Sequence, residues 1–175
     1  MDDCQSTETF LIFSPSNHPI FQSSNFPTMI QLPLLLKSDQ AHAIREHGRR
    51  AFPYECCGFL VGRDVRQERQ VVRVEAALNI RGDQELHNRF TISPEAFIKA
   101  DKAARTDQLD IVGFYHSHPN APPLPSPYDV EQAWPVYSYV IVSVLEGDPD
   151  EMTCWVLDED RSGFSPQQIT VCPES

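Results

Sequence analysis

Two short stretches limit this chain's fold more than any others: His116-Ser117-His118-Pro119, closing an apolar run, and Ser126-Pro127-Tyr128-Asp129 just beyond it. Five prolines fall within residues 119–127, so the connection between the stretches is stiff and its far end returns to a set place. In an extended segment alternate side chains share a face, so His116 and His118 point the same way. Pro119 keeps His118 out of the helical region. Two imidazoles on one face can share a metal ion, and Asp129 is the nearest carboxylate to complete the set. Two nitrogens and one oxygen leave a fourth tetrahedral position open, the pattern of a catalytic rather than a structural zinc site. Each half also has a plainer reading. A His-x-His pair alone is common, and Ser126 with Asp129 three residues on is an ordinary capped helix start. The readings are compatible, because a helix N-terminus can present a cap and a ligand together.

The remaining sequence narrows the setting. Twenty-five acidic residues against 14 basic ones leave a net charge of −11, which excludes counterion release as a source of affinity for nucleic acid and disfavours an anionic membrane surface. No segment approaches the ~20 apolar residues of a spanning helix. No Lys or Arg precedes Lys37, so a basic leader is not expected, and the cytosol is the expected compartment. The five cysteines show no C-x-x-C spacing; Cys56 and Cys57 sit in an apolar run and read as small buried hydrophobes.

Residues 1–29 are rich in Ser, Thr, Asn, Gln and Pro and are expected to form a flexible tail, with Met29 offering an internal start; one domain is expected over residues 30–172. An extended segment is expected at 30–36, then a helix capped by Ser38 and running to Phe52, with Ala41, Ile44, Gly48 and Ala51 inward and Pro53 ending it. Strands are expected at 56–63 and 70–80, the second with Val72, Val74 and Ala76 alternating against Arg73 and Glu75. A polar loop at 79–88 and a short strand at 89–92 follow. Ser93-Pro94-Glu95 starts a helix whose stripe is Phe97, Ala100 and Ala104. Further strands are expected at 109–115, 137–145 and 152–157, with the acidic residues 146–151 as a solvated hairpin connection, and a last strand at 164–171. Ser126 opens a short helix to about Trp134. The order describes a single α/β domain, a mixed β-sheet flanked by helices. His42, His47 and His87 read as surface groups, His18 as part of the tail, and Trp134, Tyr137 and Tyr139 as core.

His-Ser-His-Pro followed by Ser-x-x-Asp at this spacing resembles the signature of the JAMM (MPN+) metalloproteases. Tyr54-Glu55-Cys56-Cys57-Gly58-Phe59-Leu60-Val61-Gly62 is similar to that family's upstream glutamate element. The resemblance covers most of the chain. It implies a cytidine-deaminase-like fold, one zinc ion per chain, and isopeptidase chemistry on the C-termini of ubiquitin-like proteins. His116, His118 and Asp129 would bind the zinc, Glu55 would hydrogen-bond its water, and Ser126 would stabilise the oxyanion. The roles suit the residues. A carboxylate at the entrance of an apolar strand can be tuned by burial to take a proton from water and pass it to an amide nitrogen. A hydroxyl donor at an oxyanion contributes ~3 kcal/mol. The deaminases' own H-x-E and P-C-x-x-C signature is absent.

In brevity, and in stretches such as Glu55-Cys56-Cys57-Gly58 and Arg89-Phe90, the chain is similar to stand-alone bacterial members, which implies as partner a small sulfur-carrier protein ending in Gly-Gly and carrying a C-terminal adduct such as cysteine. A thin Gly-Gly tail suits a narrow groove beside a metal. The rival expectations are a deubiquitinase-like isopeptidase and a silent scaffold of the same fold; scaffolds usually lack the ligands or the glutamate, which this chain keeps. A role at DNA is opposed by the charge.

Overall fold

The computed structural model describes residues 31–81 and 89–173. Its elements are β1 (Leu34–Lys37), α1 (Ser38–Ala51), β2 (Cys57–Val65), β3 (Glu68–Ala77), α2 (Pro94–Thr106), β4 (Asp110–Pro119), α3 (Pro127–Gln132), β5 (Ser138–Leu145), β6 (Asp148–Leu157), β7 (Phe164–Pro166) and β8 (Ile169–Cys172). They form one mixed sheet in the order β7-β6-β5-β4-β2-β3-β1-β8. β4 and β5 are parallel, as are β1 with β3 and with β8; the other neighbours are antiparallel. The expected α/β class and flanking helices are therefore present. No helix among the described residues is long and apolar enough to cross a membrane.

The sheet is curled, and its last two strands show why. The single strand expected at 164–171 is two: β7 on one edge of the sheet and β8 on the other. Two residues separate them, a span of ~10 Å at most, so the edges must approach each other. Buried Gln167 bridges them, its N–H donating to Cys154 O (2.8 Å) and its Nε2 to Leu32 O (2.6 Å).

α1 packs on one face of the sheet, where Ala41 and Ile44 meet Leu34, Leu36, Leu60, Val112, Tyr115, Val140 and Val142. The expected cap is shifted by one residue: Lys37 takes the N-cap position and Ser38 begins the helix. Gln40 replaces the missing side-chain cap, accepting from Lys37 N at 2.9 Å while its own amide reaches Val71 O and Val72 O on β3. α2 covers the other face through Ala100 and Ala104 against Phe59, Val61, Leu109 and Ile111. Its start is the one expected, with Ser93 Oγ accepting from Ala96 N (3.1 Å).

Two β-bulges change the pattern that simple alternation predicts. On β3 the register steps from Val61↔Arg73 to Gly62↔Val71, leaving Val72 unpaired and exposed instead of inward. Val71 and Val74 then both reach the α1-side core. On β4 the step from Leu60↔Gly113 to Val61↔Ile111 leaves Val112 as the extra residue. Beyond that bulge Tyr115 and Ser117 face α1, where His47 and Gly48 meet them, while His116 faces Phe90 on the opposite side. The bulge thus sets the phase that presents both histidines on one face.

Other expectations are corrected. β4 runs on through the histidines to Pro119, so they lie in the strand itself. Residues 89–92 are not a strand; they are held by hydrogen bonds to Asn79 and by Ile80 N donating to Thr91 O. The acidic connection shrinks to a two-residue turn, Glu146-Gly147, with Asp148 already in β6 and the four acidic side chains exposed. His47 is half-buried, bonded through Nδ1 to Tyr115 Oη at 2.8 Å, and burial with Arg50 lowers its pKa. Tyr139 and Tyr137 join an aromatic cluster around Phe114, whereas Trp134 is half-buried beneath the Arg161 guanidinium. His42 is exposed as expected, and Cys56, Cys57 and Cys154 are buried free thiols. The expectations for residues 1–29 and for His87 lie outside the described residues.

Candidate active site

His116 and His118 leave the end of β4 side by side, 1 % and 8 % exposed, with their Nε2 atoms 3.0 Å apart. His118 Nδ1 lies 2.9 Å from Pro122 O, a carbonyl that only accepts, so Nδ1 carries the proton and Nε2 turns a lone pair to the site. The loop supplying that carbonyl is fastened along its length. Ser143 Oγ donates to Ala121 O, Thr153 Oγ1 and Trp155 Nε1 donate to Pro123 O, and Asn120 N donates to Val144 O. The proline-rich segment is therefore strapped to β5 and β6, which brings Ser126 and α3 back beside β4.

At the start of α3 one residue is both cap and candidate ligand. Ser126 Oγ accepts from Asp129 N (3.2 Å), while Asp129 Oδ2 accepts from Ser126 N and from Ser126 Oγ, both at 2.7 Å. These bonds hold Asp129 Oδ1 3.4 Å from His116 Nε2, and Oδ2 lies 3.7 Å from His118 Nε2, an electrostatic contact longer than a hydrogen bond. Burial opposes ionisation of Asp129, but the neighbouring imidazoles of His116 and His118 and the bonds around Ser126 outweigh it and keep the carboxyl well below the usual range. Burial pushes His116 down to about 4. His118 shifts up, because Asp129, Pro122 O and Glu55 together outweigh its burial.

The three donors fit a metal. Their ligand atoms lie within 4.8 Å of one another. Nitrogens ~2.0–2.1 Å from one tetrahedral ion stand ~3.3 Å apart, close to the 3.0 Å and 3.4 Å found here. Two imidazoles and a carboxylate also suit zinc and leave a position open.

Glu55 arrives from the entrance of β2. It is 6 % exposed and shares a cleft of about 220 Å³ with His118, Pro119, Ala121, Pro122, Leu124 and Ser126. Burial raises its pKa to about 8; Asp129 adds to the rise and His118 opposes it. Ser117, between the two histidines, fixes this approach: Cys56 N donates to Ser117 Oγ (2.9 Å) and Ser117 N donates to Cys56 O (3.1 Å). Asn79 Nδ2 donates to Glu55 O at 3.2 Å. Burial also raises the Cys56 thiol to about 11, and the clustered donors are His116, His118 and Asp129 without it.

All five residues singled out from the sequence thus converge: His116, His118 and Asp129 around one point, Glu55 and Ser126 at the cleft beside it. Sequence reasoning assigned no site role to Ser117, Asn79, Phe90 or the strap from β5 and β6. Phe90 entered only within a stretch of family likeness, and Ser117 left a physical trace, since strand alternation turns it away from the histidines towards the core, where a lone hydroxyl must find a partner.

The family of prokaryotic homologues of the JAB domain matches residues 37–158. A desampylase of Pyrococcus furiosus is 34 % identical over 119 residues, covering 67 % of this chain and 76 % of that protein. A desampylase of Haloferax volcanii is 35 % identical over 136 residues, covering 73 % and 91 %. A solution structure of a protein from Desulfitobacterium hafniense superposes with a TM-score of 0.70 at 29 % identity, covering 81 % of this chain and 94 % of that one. With the match spanning both the glutamate element and the His-x-His…Asp centre, the chain belongs to the prokaryotic JAB (JAMM/MPN) family.

Proposed function

We propose that this chain is a zinc-dependent hydrolase, a peptidase or isopeptidase that cuts the bond following the C-terminal Gly-Gly of a ubiquitin-like or sulfur-carrier protein in the cytosol. Residues 30–172 form its catalytic domain. The observation that carries the reading is convergence: a buried carboxylate, Glu55, shares a cleft with His118 and Ser126, while His116 and Asp129 close a three-donor centre behind it. The desampylase relatives support the substrate class, since their name describes removal of a conjugated modifier.

His116, His118 and Asp129 would hold the zinc. Bound there, it supplies a Lewis acid and a water acidified to a pKa of ~7. Glu55, as the carboxylate, would take a proton from the attacking water and deliver it to the departing amide nitrogen. Ser126 donates to the oxyanion. Its hydroxyl hydrogen now points to Asp129 Oδ2, so this role requires it to turn towards the substrate. Pro119, Ala121, Pro122 and Leu124 give the cleft an apolar side, which would suit a thin Gly-Gly tail lying extended along it.

The test is cleavage of two substrates, a sulfur-carrier–cysteine adduct and a ubiquitin-like isopeptide conjugate, each with and without a chelator. Chelator-sensitive release from either supports the reading, and faster release from the adduct selects the sulfur-carrier class. Inertness towards both in zinc-replete protein would contradict it.

A further inference from the structure

Metal-binding imidazoles ordinarily donate their second ring N–H to an acceptor, which sets the plane of the ring. His118 does so through Pro122 O. His116 does not: it is all but fully buried, and its Nδ1 has no hydrogen-bond partner among the described residues. Buried polar atoms without a partner are uncommon and need a reason. What meets the His116 ring instead is Phe90, stacked with centroids 4.7 Å apart and planes inclined by 29°. His118 closes another side at 4.9 Å.

Phe90 lies on a segment with no strand to hold it, yet the residues on both sides of it are fastened to one side chain. Asn79 Nδ2 donates to Arg89 O (3.1 Å), and Asn79 Oδ1 accepts from Thr91 N (3.1 Å). The same Nδ2 reaches Glu55 O. One amide therefore brackets Phe90 and steadies the backbone of the candidate general base.

We infer that Phe90 is the positioning residue for His116, its stacked ring replacing the missing hydrogen bond in orienting the imidazole towards the metal, and that Asn79 is the bracket holding Phe90 in place. The inference rests on the zinc reading above. It assigns work to two residues outside the His-x-His…Asp centre, and it predicts that an aromatic plane at position 90, rather than mere bulk, sets metal affinity.

Zinc affinity by competition with a chromophoric chelator tests it, together with the visible spectrum of the cobalt-substituted protein. Phe90→Ala should bind zinc about 10–100-fold more weakly, the range for loss of an outer partner of a metal-bound histidine, with an altered cobalt spectrum. Phe90→Leu keeps apolar volume without a plane and should also weaken binding; it carries the test if the alanine variant does not fold. Phe90→Tyr should restore wild-type affinity. Asn79→Ala should weaken binding comparably, and the double variant Asn79→Ala/Phe90→Ala should bind no more weakly than Phe90→Ala alone. Wild-type affinity and spectrum in folded Phe90→Leu would overturn the role of Phe90. Additive losses in the double variant would overturn the bracket. Wild-type protein that takes up no zinc would instead overturn the reading beneath, a distinguishable result.

Discussion

Glu55→Gln is expected to abolish turnover and, in chelated protein, to raise stability at pH 7 but not at pH 4.5. Folding takes this carboxyl from an ordinary value of 4.5 to about 8, chiefly by burial. Its folded pKa lies above the unfolded one, so between those values the folded state binds a proton that the unfolded chain has lost, and stability falls as pH rises. At ~1.36 kcal/mol per pH unit, the interval from 4.5 to 7 costs the wild type about 3 kcal/mol. At pH 4.5 the cost shrinks to ~0.4 kcal/mol, the half-protonation of the unfolded chain. Glutamine carries no charge and escapes it. Any packing difference between the two side chains is common to both pH values, so the change in their stability difference isolates the charge. Urea denaturation of both proteins at pH 7 and pH 4.5 with chelator present measures it. A stability difference that does not vary with pH would refute the claim that Glu55 is desolvated, and unchanged turnover in zinc-loaded Glu55→Gln would remove it from the mechanism.

Other substitutions probe the framework. Ser117→Ala leaves the Cys56 N–H without its acceptor, a loss of ~1–3 kcal/mol; it should lower kcat while keeping one zinc per chain, measured by metal analysis and steady-state kinetics. Gly58→Ala should cost at least ~1–3 kcal/mol in thermal or urea unfolding, because a Cβ there would stand 2.3 Å from both Glu75 O and the Tyr115 ring, and the backbone oxygen cannot give way. Cys56→Ala should retain full zinc, because its buried thiol lies outside the three-donor group of His116, His118 and Asp129; loss of metal would mean that the ligand set is misassigned.

The site was more legible in the sequence than the fold that holds it. His116, His118, Ser126 and Asp129 are close along the chain, and strand period and helix capping are local rules, so their mutual geometry could be read from spacing. Glu55 came only through a family likeness, since nothing local brings an upstream strand entrance to the end of β4. The misreadings arose where tertiary pairing overrides local pattern. Val72 looked inward because alternation was assumed unbroken, whereas a bulge on β3 turns it out. Residues 164–171 looked like one strand because the two-residue crossing at Gln167-Gln168 has no turn signature; the break exists because a curled sheet offers two edges to fill. Residues 89–92 have strand-like side chains but find no open ladder, so Asn79 supplies their hydrogen bonds instead. Ser117 and Phe90 shape the site through contacts with residues some 60 and 26 positions away, distances over which no local pattern speaks.

In the proposed function, His116, His118 and Asp129 hold one zinc ion on which hydrolysis depends. Turnover of a Gly-Gly-linked conjugate, followed while zinc is added back to chelator-stripped protein, tests it most directly. The expected result is no activity without metal, a linear rise with added zinc, and a plateau at one ion per chain, with no recovery in His118→Ala. Full turnover in stripped protein, or recovery in that variant at the same stoichiometry, would contradict it.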